Sequence, residues 1–149
     1  MKEIAQKLEA VVDGAAHRLF DIPEAESEVR PAPGKWSKKE IIGHLIDSAS
    51  NNHQRFVRGQ ENKSLSLPGY TQNFWVDRQH YQTEPWKTLV ALWTTYNTHL
   101  AHVIAQIPQD CENNLCTIGS GQPVTLKWLA EDYIKHAEHH LEQIFGSRP

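Results

Sequence analysis

Cysteine is scarce in this chain, and so are the features that would direct it to a membrane. Only two cysteines occur, Cys111 and Cys116; that is too few for a disulfide framework, and their spacing is not C-x-x-C, so we expect structural roles for both. No apolar run approaches the roughly 20 residues of a membrane span. The opening segment, MKEIAQKLEA, is charged and amphipathic, unlike a signal peptide. We therefore expect a cytoplasmic protein with no membrane partner.

An excess of basic charge is also missing. The net charge is -3 and the isoelectric point is about 6.3, so no basic surface indicates nucleic-acid binding. The chain shows no internal repeat, no glycine-rich phosphate loop and no Ser-His-Asp spacing. Its 149 residues, 39% of them hydrophobic, predict a single domain over residues 1–149. Histidine is abundant, with nine copies, and it is the commonest metal ligand in proteins.

Apolar spacing predicts two helices in the first part of the chain. Between residues 4 and 19 apolar side chains recur at helical intervals. Prolines and a glycine then interrupt the pattern. A second helix is predicted to begin at a capping box formed by Ser37 and Glu40 and to end near Gly59.

Two further helices are predicted in the second part. The third begins with Pro85 in its first turn and is stopped by Pro108. The fourth begins after Thr125 as its cap and runs to about Phe145, with Gly146 at its end. Four amphipathic helices predict an all-α four-helix bundle.

The connections between these helices are long. Residues 60–84 contain no predicted helix, and connections of this length are often functional. Residues 109–124 include Gly119 and Gly121 and could form a short hairpin before the last helix. These lengths argue against a simple up-down-up-down order.

Histidines on the last helix suggest a metal site. His136 and His140 lie one turn apart on the side of its apolar face, whereas His139 points away. A pair spaced i, i+4 can offer two imidazoles to one ion. Two buried histidines satisfied by hydrogen bonds are the alternative. The histidines that fit surface positions better are His17, His80, His99 and His102.

The second helix offers two candidates for a third ligand. Periodicity favours His53, which falls on the apolar side, over His44. His44, however, begins a polar stripe that continues through Ser48, Asn51, Asn52 and Arg55. That stripe either lines a wet cavity at one end of the bundle or is a solvated helix face.

Several segments resemble the DinB/YfiT-like superfamily. KWSKKEIIGHLIDSASNNHQRF, residues 35–56, is similar to its second-helix motif, and TLKWLAEDYIKHAEHHLEQI, residues 125–144, to its last-helix motif. LPGYTQNFWV and PWKTLVALW are similar to the connecting region and third helix of the YfiT-like branch. The resemblance spans nearly the whole chain, and its strength comes from three pieces in the right order.

The resemblance implies an up-down-down-up bundle with one metal ion held by His44, His136 and His140, which overrides the periodicity-based preference for His53. The ion would be divalent, with zinc or nickel favoured and iron or manganese as further candidates. Asp47 and Asp132 are our candidates for the outer hydrogen-bond partners of the histidines. A homodimer is also implied by the resemblance.

The same resemblance implies transferases that use a low-molecular-weight thiol, or metal-dependent hydrolases. Three neutral imidazoles leave a coordination position open, at which a metal-bound water or thiolate would be the reactive group. A non-catalytic, metal-bearing binding or stress-response module is the alternative from another class. The predicted residues for binding a small-molecule substrate are Ser48, Asn51, Asn52 and Arg55; for Arg55 the alternative is a structural salt bridge. Tyr70, Trp75 and Trp86 are expected either to wall the pocket or to pack the connections.

Overall fold

A computed structural model describes residues 1–146. Its four long helices are α1 (Lys2–Phe20), α3 (Lys38–Arg58), α5 (Trp86–Gln106) and α6 (Leu126–Phe145). Two short helices, α2 (Glu24–Ser27) and α4 (Gln72–Gln79), lie in the connections. Single 3-10 turns occupy Tyr81–Thr83 and Gln109–Cys111. No helix in the described part is long and apolar enough to cross a bilayer.

The predicted caps of α3 and α6 are present. The Ser37 hydroxyl accepts a hydrogen bond from the Glu40 amide, and the Glu40 carboxylate accepts one from the Ser37 amide at 2.8 Å. The Thr125 hydroxyl accepts from the Trp128 amide at 3.1 Å. These contacts satisfy amides that have no partner within the helix. Local sequence therefore sets where both site-bearing helices begin.

The start of α5 differs from the prediction by one residue. Pro85 is the cap, in an extended conformation, and Trp86 is the first helical residue. The Trp86 amide donates to the carboxylate of Glu24 at 3.0 and 3.1 Å. The free amide at this helix start is thus satisfied by a side chain from α2, which a local pattern does not reveal.

The order of the bundle is up-down-down-up, as the resemblance implied. α1 and α5 are antiparallel neighbours: the Trp86 indole at the start of α5 donates to the Leu19 carbonyl at the end of α1. α1 and α6 run parallel, because the guanidinium of Arg18 lies 3.6 Å from the ring centre of Phe145, both in the last turns of their helices. α3 packs between α5 and α6. Lys38, at the start of α3, donates to the Ile144 carbonyl near the end of α6, so these two helices are antiparallel.

A small sheet joins the two long connections. β2 (Leu115–Ile118) and β3 (Val124–Thr125) are antiparallel and form the predicted hairpin before α6. β1 (Ser64–Leu67), which was not predicted, pairs in parallel with β2, with Leu65 opposite Cys116. The sheet therefore fastens the connection that follows α3 to the one that precedes α6. Both cysteines are free thiols; Cys116 is buried and Cys111 half-buried.

The first half of α3 is enclosed on every side. Every residue from 39 to 49 is buried, because α2, α4 and the turn at Tyr81–Thr83 cover the faces that α5 and α6 leave free. Gly43 allows the closest of these approaches: a Cβ added there would lie 2.1 Å from a ring carbon of Tyr81. His44 follows directly and is completely buried.

Candidate metal centre

Three histidines converge where α3 and α6 face each other. His44 comes from the second turn of α3, and His136 and His140 lie one turn apart on α6. The ring centre of His44 lies 5.0 Å from that of His136 and 4.7 Å from that of His140. One nitrogen of each ring lies within 4.8 Å of the other two. The structure thus brings together the three residues that the resemblance selected.

The spacing of these nitrogens fits a single ion. The Nε2 atoms of His44 and His136 are 3.1 Å apart. Two imidazoles bound to one tetrahedral zinc ion at the usual bond length have their nitrogens about 3.3 Å apart. All three side chains could therefore hold one divalent ion with small adjustments.

The histidines are held in the neutral form that binds metals. Burial, together with the proximity of His140 and His136, lowers the pKa of His44 to about 3. Burial, followed by the neighbouring His140, His139 and Arg55, lowers the pKa of His136 to about 4. The pKa of His140 is also lowered, mainly by burial. At neutral pH no proton needs to leave before a cation binds.

Outer hydrogen bonds orient two of the rings. The Nδ1 of His140 lies 3.0 Å from Oε1 of Gln143, and the Nδ1 of His136 lies 3.4 Å from the Ser48 hydroxyl. With Nδ1 engaged in this way, Nε2 is the nitrogen left for a metal. The Nδ1 of His44 is buried and has no partner within residues 1–146.

The prediction that Asp47 and Asp132 are the outer hydrogen-bond partners of the histidines was wrong. Neither Asp47 nor Asp132 is hydrogen-bonded to a histidine of the cluster in the described structure. Instead, Asp47 accepts hydrogen bonds from the Tyr81 hydroxyl at 2.7 Å and from the Gln79 amide. Gln143, which sequence reasoning missed, lies three residues after His140 and so on the same helix face. This i, i+3 spacing is the sequence signal that could have identified Gln143 as a partner of His140.

A cavity of about 250 Å³ adjoins His136. Three of the four residues predicted to contact substrate line it, namely Ser48, Asn52 and Arg55. Asn51 is not in its wall; its side-chain amide donates to the Asp47 carbonyl at 2.9 Å. Three of the five residues in the polar stripe of α3 therefore border this cavity.

Of the three aromatic residues predicted to wall the site, one lines this cavity. Tyr70 is in the wall, and Trp75 packs against it with ring centres 5.1 Å apart. Trp86 is fully buried in the hydrophobic core. Trp36, which was not assigned a role, lies over the histidines, with its ring centre 5.0 Å from that of His44 and 6.4 Å from that of His140.

The remaining histidines lie outside the cluster. His53, favoured by periodicity, is half-buried and its Nδ1 lies 3.1 Å from the Tyr96 hydroxyl on α5. His139 is exposed, as predicted. The four histidines assigned to the surface are exposed as well: His17, His80, His99 and His102.

Comparison with known proteins places the chain among similar bundles. A family model described as the DinB superfamily matches residues 7–144. Two relatives, both named "putative metal-dependent hydrolase", are similar over nearly the whole chain. BcerKBAB4_2443 of Bacillus mycoides (strain KBAB4) is 21% identical over 143 residues, which are 96% of this chain and 82% of the relative. YfiT of Bacillus subtilis (strain 168) is 21% identical over 145 residues, which are 97% of this chain and 78% of the relative.

The solved structure of YfiT from Bacillus subtilis is described as having an unusual four-helix bundle topology. It superposes with a TM-score of 0.86 at 17% sequence identity, covering 96% of this chain and 82% of that one. At this identity the likeness concerns the fold. It supports the four-helix bundle found here.

Proposed function

The chain belongs to the DinB superfamily, and from this premise we propose that it is a metal-dependent enzyme whose single divalent ion is held by His44, His136 and His140. The observation that carries the proposal is the convergence of three neutral imidazoles from two helices, with one nitrogen of each within 4.8 Å of the others. Zinc or nickel is our first choice of ion, with iron next, since imidazole suits all three; manganese comes last because it prefers oxygen ligands. The names of the two relatives also support metal-dependent chemistry.

Three protein ligands leave room for a reactant. When bound, such an ion supplies a Lewis acid with an open coordination position. Ser48 and Gln143 fix the rings of His136 and His140. The cavity beside His136 receives the substrate, where Ser48, Asn52 and Arg55 orient it. Asn51 supports this wall from behind through its bond to the Asp47 carbonyl.

The reaction we propose is transfer of a low-molecular-weight thiol to an electrophile. Within residues 1–146, the ligand cluster contains no carboxylate that could serve as a dedicated base. A thiol, with a pKa of about 8.5, needs far less help to ionise than water does. In the transfer, the thiol proton is released to solvent, a bond forms between sulfur and the electrophilic carbon, and the leaving group departs with its electron pair.

Hydrolysis at the same site is the second candidate. It is favoured by the names of the relatives and by Asp132, an exposed residue in the wall of the same cavity as His136. Asp132 would then take a proton from the attacking water. The two reactions share the ion and the cavity and differ in their need for this carboxylate.

Metal binding can be tested on protein purified without an affinity tag. We expect one zinc or nickel ion per chain in the wild type, measured by elemental analysis after loading and desalting. His44→Ala, His136→Ala and His140→Ala should lose the ion. His139→Ala is the matched control, because His139 is exposed on the same helix and should keep it. Retention of a full complement by the His44 variant would refute the three-histidine site.

The reaction can be tested by following thiol loss and product formation with a panel of electrophiles and esters. Thiol transfer predicts stoichiometric loss of thiol that survives Asp132→Asn. Hydrolysis predicts product without thiol consumption and strong loss in Asp132→Asn. Saturable thiol binding without any product would instead favour a non-catalytic metal-bearing module. We further propose a cytoplasmic homodimer, for which sedimentation at several protein concentrations is the test of assembly.

A further inference from the structure

Arg55 is a half-buried cation that forms no salt bridge with another described residue. Among residues 1–146, no carboxylate lies within ion-pair distance of its guanidinium. Its side chain makes one hydrogen bond, from Nη1 to Oδ1 of Asn52 at 3.2 Å. The buried Lys39, by contrast, is paired with both Glu24 and Glu28. Because no such partner is present among the described residues, a structural salt bridge does not explain Arg55. A charge that is removed from water is costly unless it is paired.

The position of Arg55 relates it to the histidine cluster. It follows His44 by three turns of α3, and at 100° per residue the two lie about 20° apart around the axis. It follows Ser48, which contacts His136, by about 10 Å along the axis. Long side chains on a helix point towards its N-terminus, which brings the guanidinium back towards Ser48. Arg55 lines the cavity from α3, and His136 lines it from α6.

The charges in the cavity wall favour a ligand with one negative charge. Among residues 1–146, Arg55 is the only lysine or arginine in the wall, and Asp132 is the only carboxylate. A phosphate dianion would find no second cation here and would face Asp132. Burial raises the pKa of Tyr70 to about 12, so its phenol keeps its proton and can donate a hydrogen bond. The volume of about 250 Å³ suits a small molecule.

We propose that Arg55 binds a carboxylate of the substrate, so that the substrate is a small monocarboxylate with its reacting group at the His136 end of the cavity. The planar guanidinium can donate two parallel hydrogen bonds to a carboxylate. This inference rests on the proposed function, because it assumes that the reacting group meets the ion at the histidines. It adds a substrate class to that function and makes Arg55 a residue that determines substrate specificity.

Simple thiols provide probes. Mercaptoacetate, 3-mercaptopropionate and 4-mercaptobutyrate would be compared with the thiols in which a hydroxymethyl group replaces the carboxylate, such as 2-mercaptoethanol for mercaptoacetate. Binding to zinc-loaded protein is measured by calorimetry, and contact of sulfur with the metal by the thiolate absorption of cobalt-loaded protein. Arg55→Gln removes the positive charge. Arg55→Lys keeps the charge but cannot donate the two parallel hydrogen bonds of a guanidinium. Arg58→Gln is the matched control, since Arg58 is exposed on the same helix and lies outside the cavity wall.

We expect at least one acid to bind the wild type and Arg58→Gln about tenfold or more tightly than its alcohol, as for a charged hydrogen-bonded pair. Arg55→Gln should abolish this preference while leaving alcohol affinity unchanged, and Arg55→Lys should restore part of it. Absence of a preference in the wild type, or its persistence in Arg55→Gln, overturns the inference.

The two proposals fail in different ways. Equal cobalt thiolate absorption from acids and alcohols, without a difference in affinity, overturns the carboxylate site and leaves the metal proposal standing. An Arg55-dependent preference for acids without any thiolate absorption supports the carboxylate site and argues against thiol chemistry at the metal.

Discussion

The Nε2 atoms of His44 and His136 lie 3.1 Å apart, although the residues are separated by 92 positions in the chain. Two neutral imidazoles can form a hydrogen bond across such a gap, or both can bind one cation through Nε2 when their protons are on Nδ1. The antiparallel packing of α3 against α6 creates this contact, since Lys38 at the start of one helix reaches the end of the other. The proposed function and the predictions below depend on this helix pair.

Gln143 is predicted to tune metal affinity without being a ligand. Gln143→Leu removes the acceptor at 3.0 Å from the His140 Nδ1, which frees the ring to rotate. Loss of such an outer partner typically costs about 10- to 100-fold in affinity. Competition with a chromophoric chelator measures the change. Gln106→Leu, at the end of α5 and away from the cluster, should behave as wild type; an equal loss in both variants would contradict the assignment.

Chelator-treated protein is predicted to lose stability as the pH falls from about 6.5 to 5. The folded-state pKa values of His44 and His136, about 3 and about 4, lie below the unfolded value of about 6.5. The unfolded chain therefore binds protons first, so the free energy of unfolding is greatest above pH 6.5 and declines below it. Urea unfolding at a series of pH values measures the slope.

A variant pair tests the source of that slope. His136→Gln should reduce the decline, because it removes one group that takes up a proton on unfolding. His102→Gln, on the surface, should reproduce the wild-type curve. A free energy of unfolding that rises over this pH range would show that the sign is wrong.

Gly43 is predicted to tolerate no side chain. In Gly43→Ala the new methyl group would lie 2.1 Å from a Tyr81 ring carbon, and overpacking of this kind costs about 1–3 kcal/mol. Displacing Tyr81 would also disturb its bond to Asp47. Gly14→Ala, with nothing within 4 Å of the added carbon, should instead gain about 0.5–1 kcal/mol. Chemical denaturation distinguishes the two, and similar changes in both would refute the steric explanation.

Tyr133 is predicted to stabilise the fold by donating a hydrogen bond to a buried acceptor. Its hydroxyl donates to Oδ1 of Asn97, and both residues are buried. Tyr133→Phe leaves that oxygen without a donor, which should cost about 1–3 kcal/mol. Tyr96→Phe makes the same change at a half-buried hydroxyl that water can reach, and should cost less. An equal loss of stability in both would mean that burial of Asn97 is not the cause.

Local signals predicted much of the fold, because they act within one helix. The capping box at Ser37 and Glu40 and the cap at Thr125 lie where the sequence places them. The hairpin of β2 and β3 was also predicted. β1 was not, since its partner β2 lies about fifty residues away and no local pattern reports a parallel pairing. The single domain over residues 1–149 stays a prediction.

The choice between His44 and His53 shows where periodicity fails. Hydrophobic periodicity assumes one buried face and one wet face. The first half of α3 is buried all round, so a position far from the apolar centre of the helix can still be internal. His44 lies in that half. The motif resemblance identified it, and the enclosing α2 and α4 explain why spacing alone did not.

By itself the sequence determined the four long helices, the caps of α3 and α6, and the placement of His136 and His140 on one helix face, because each depends on contacts a few residues apart. Tertiary structure alone decided that the Nε2 atoms of His44 and His136 lie 3.1 Å apart, that Gln143 and Ser48 orient the rings, and that Arg55 lines a cavity without a carboxylate partner in the described residues. These features require side chains from distant segments to occupy the same space. Their distances are set by how the helices pack, and helix packing is a property of the whole chain.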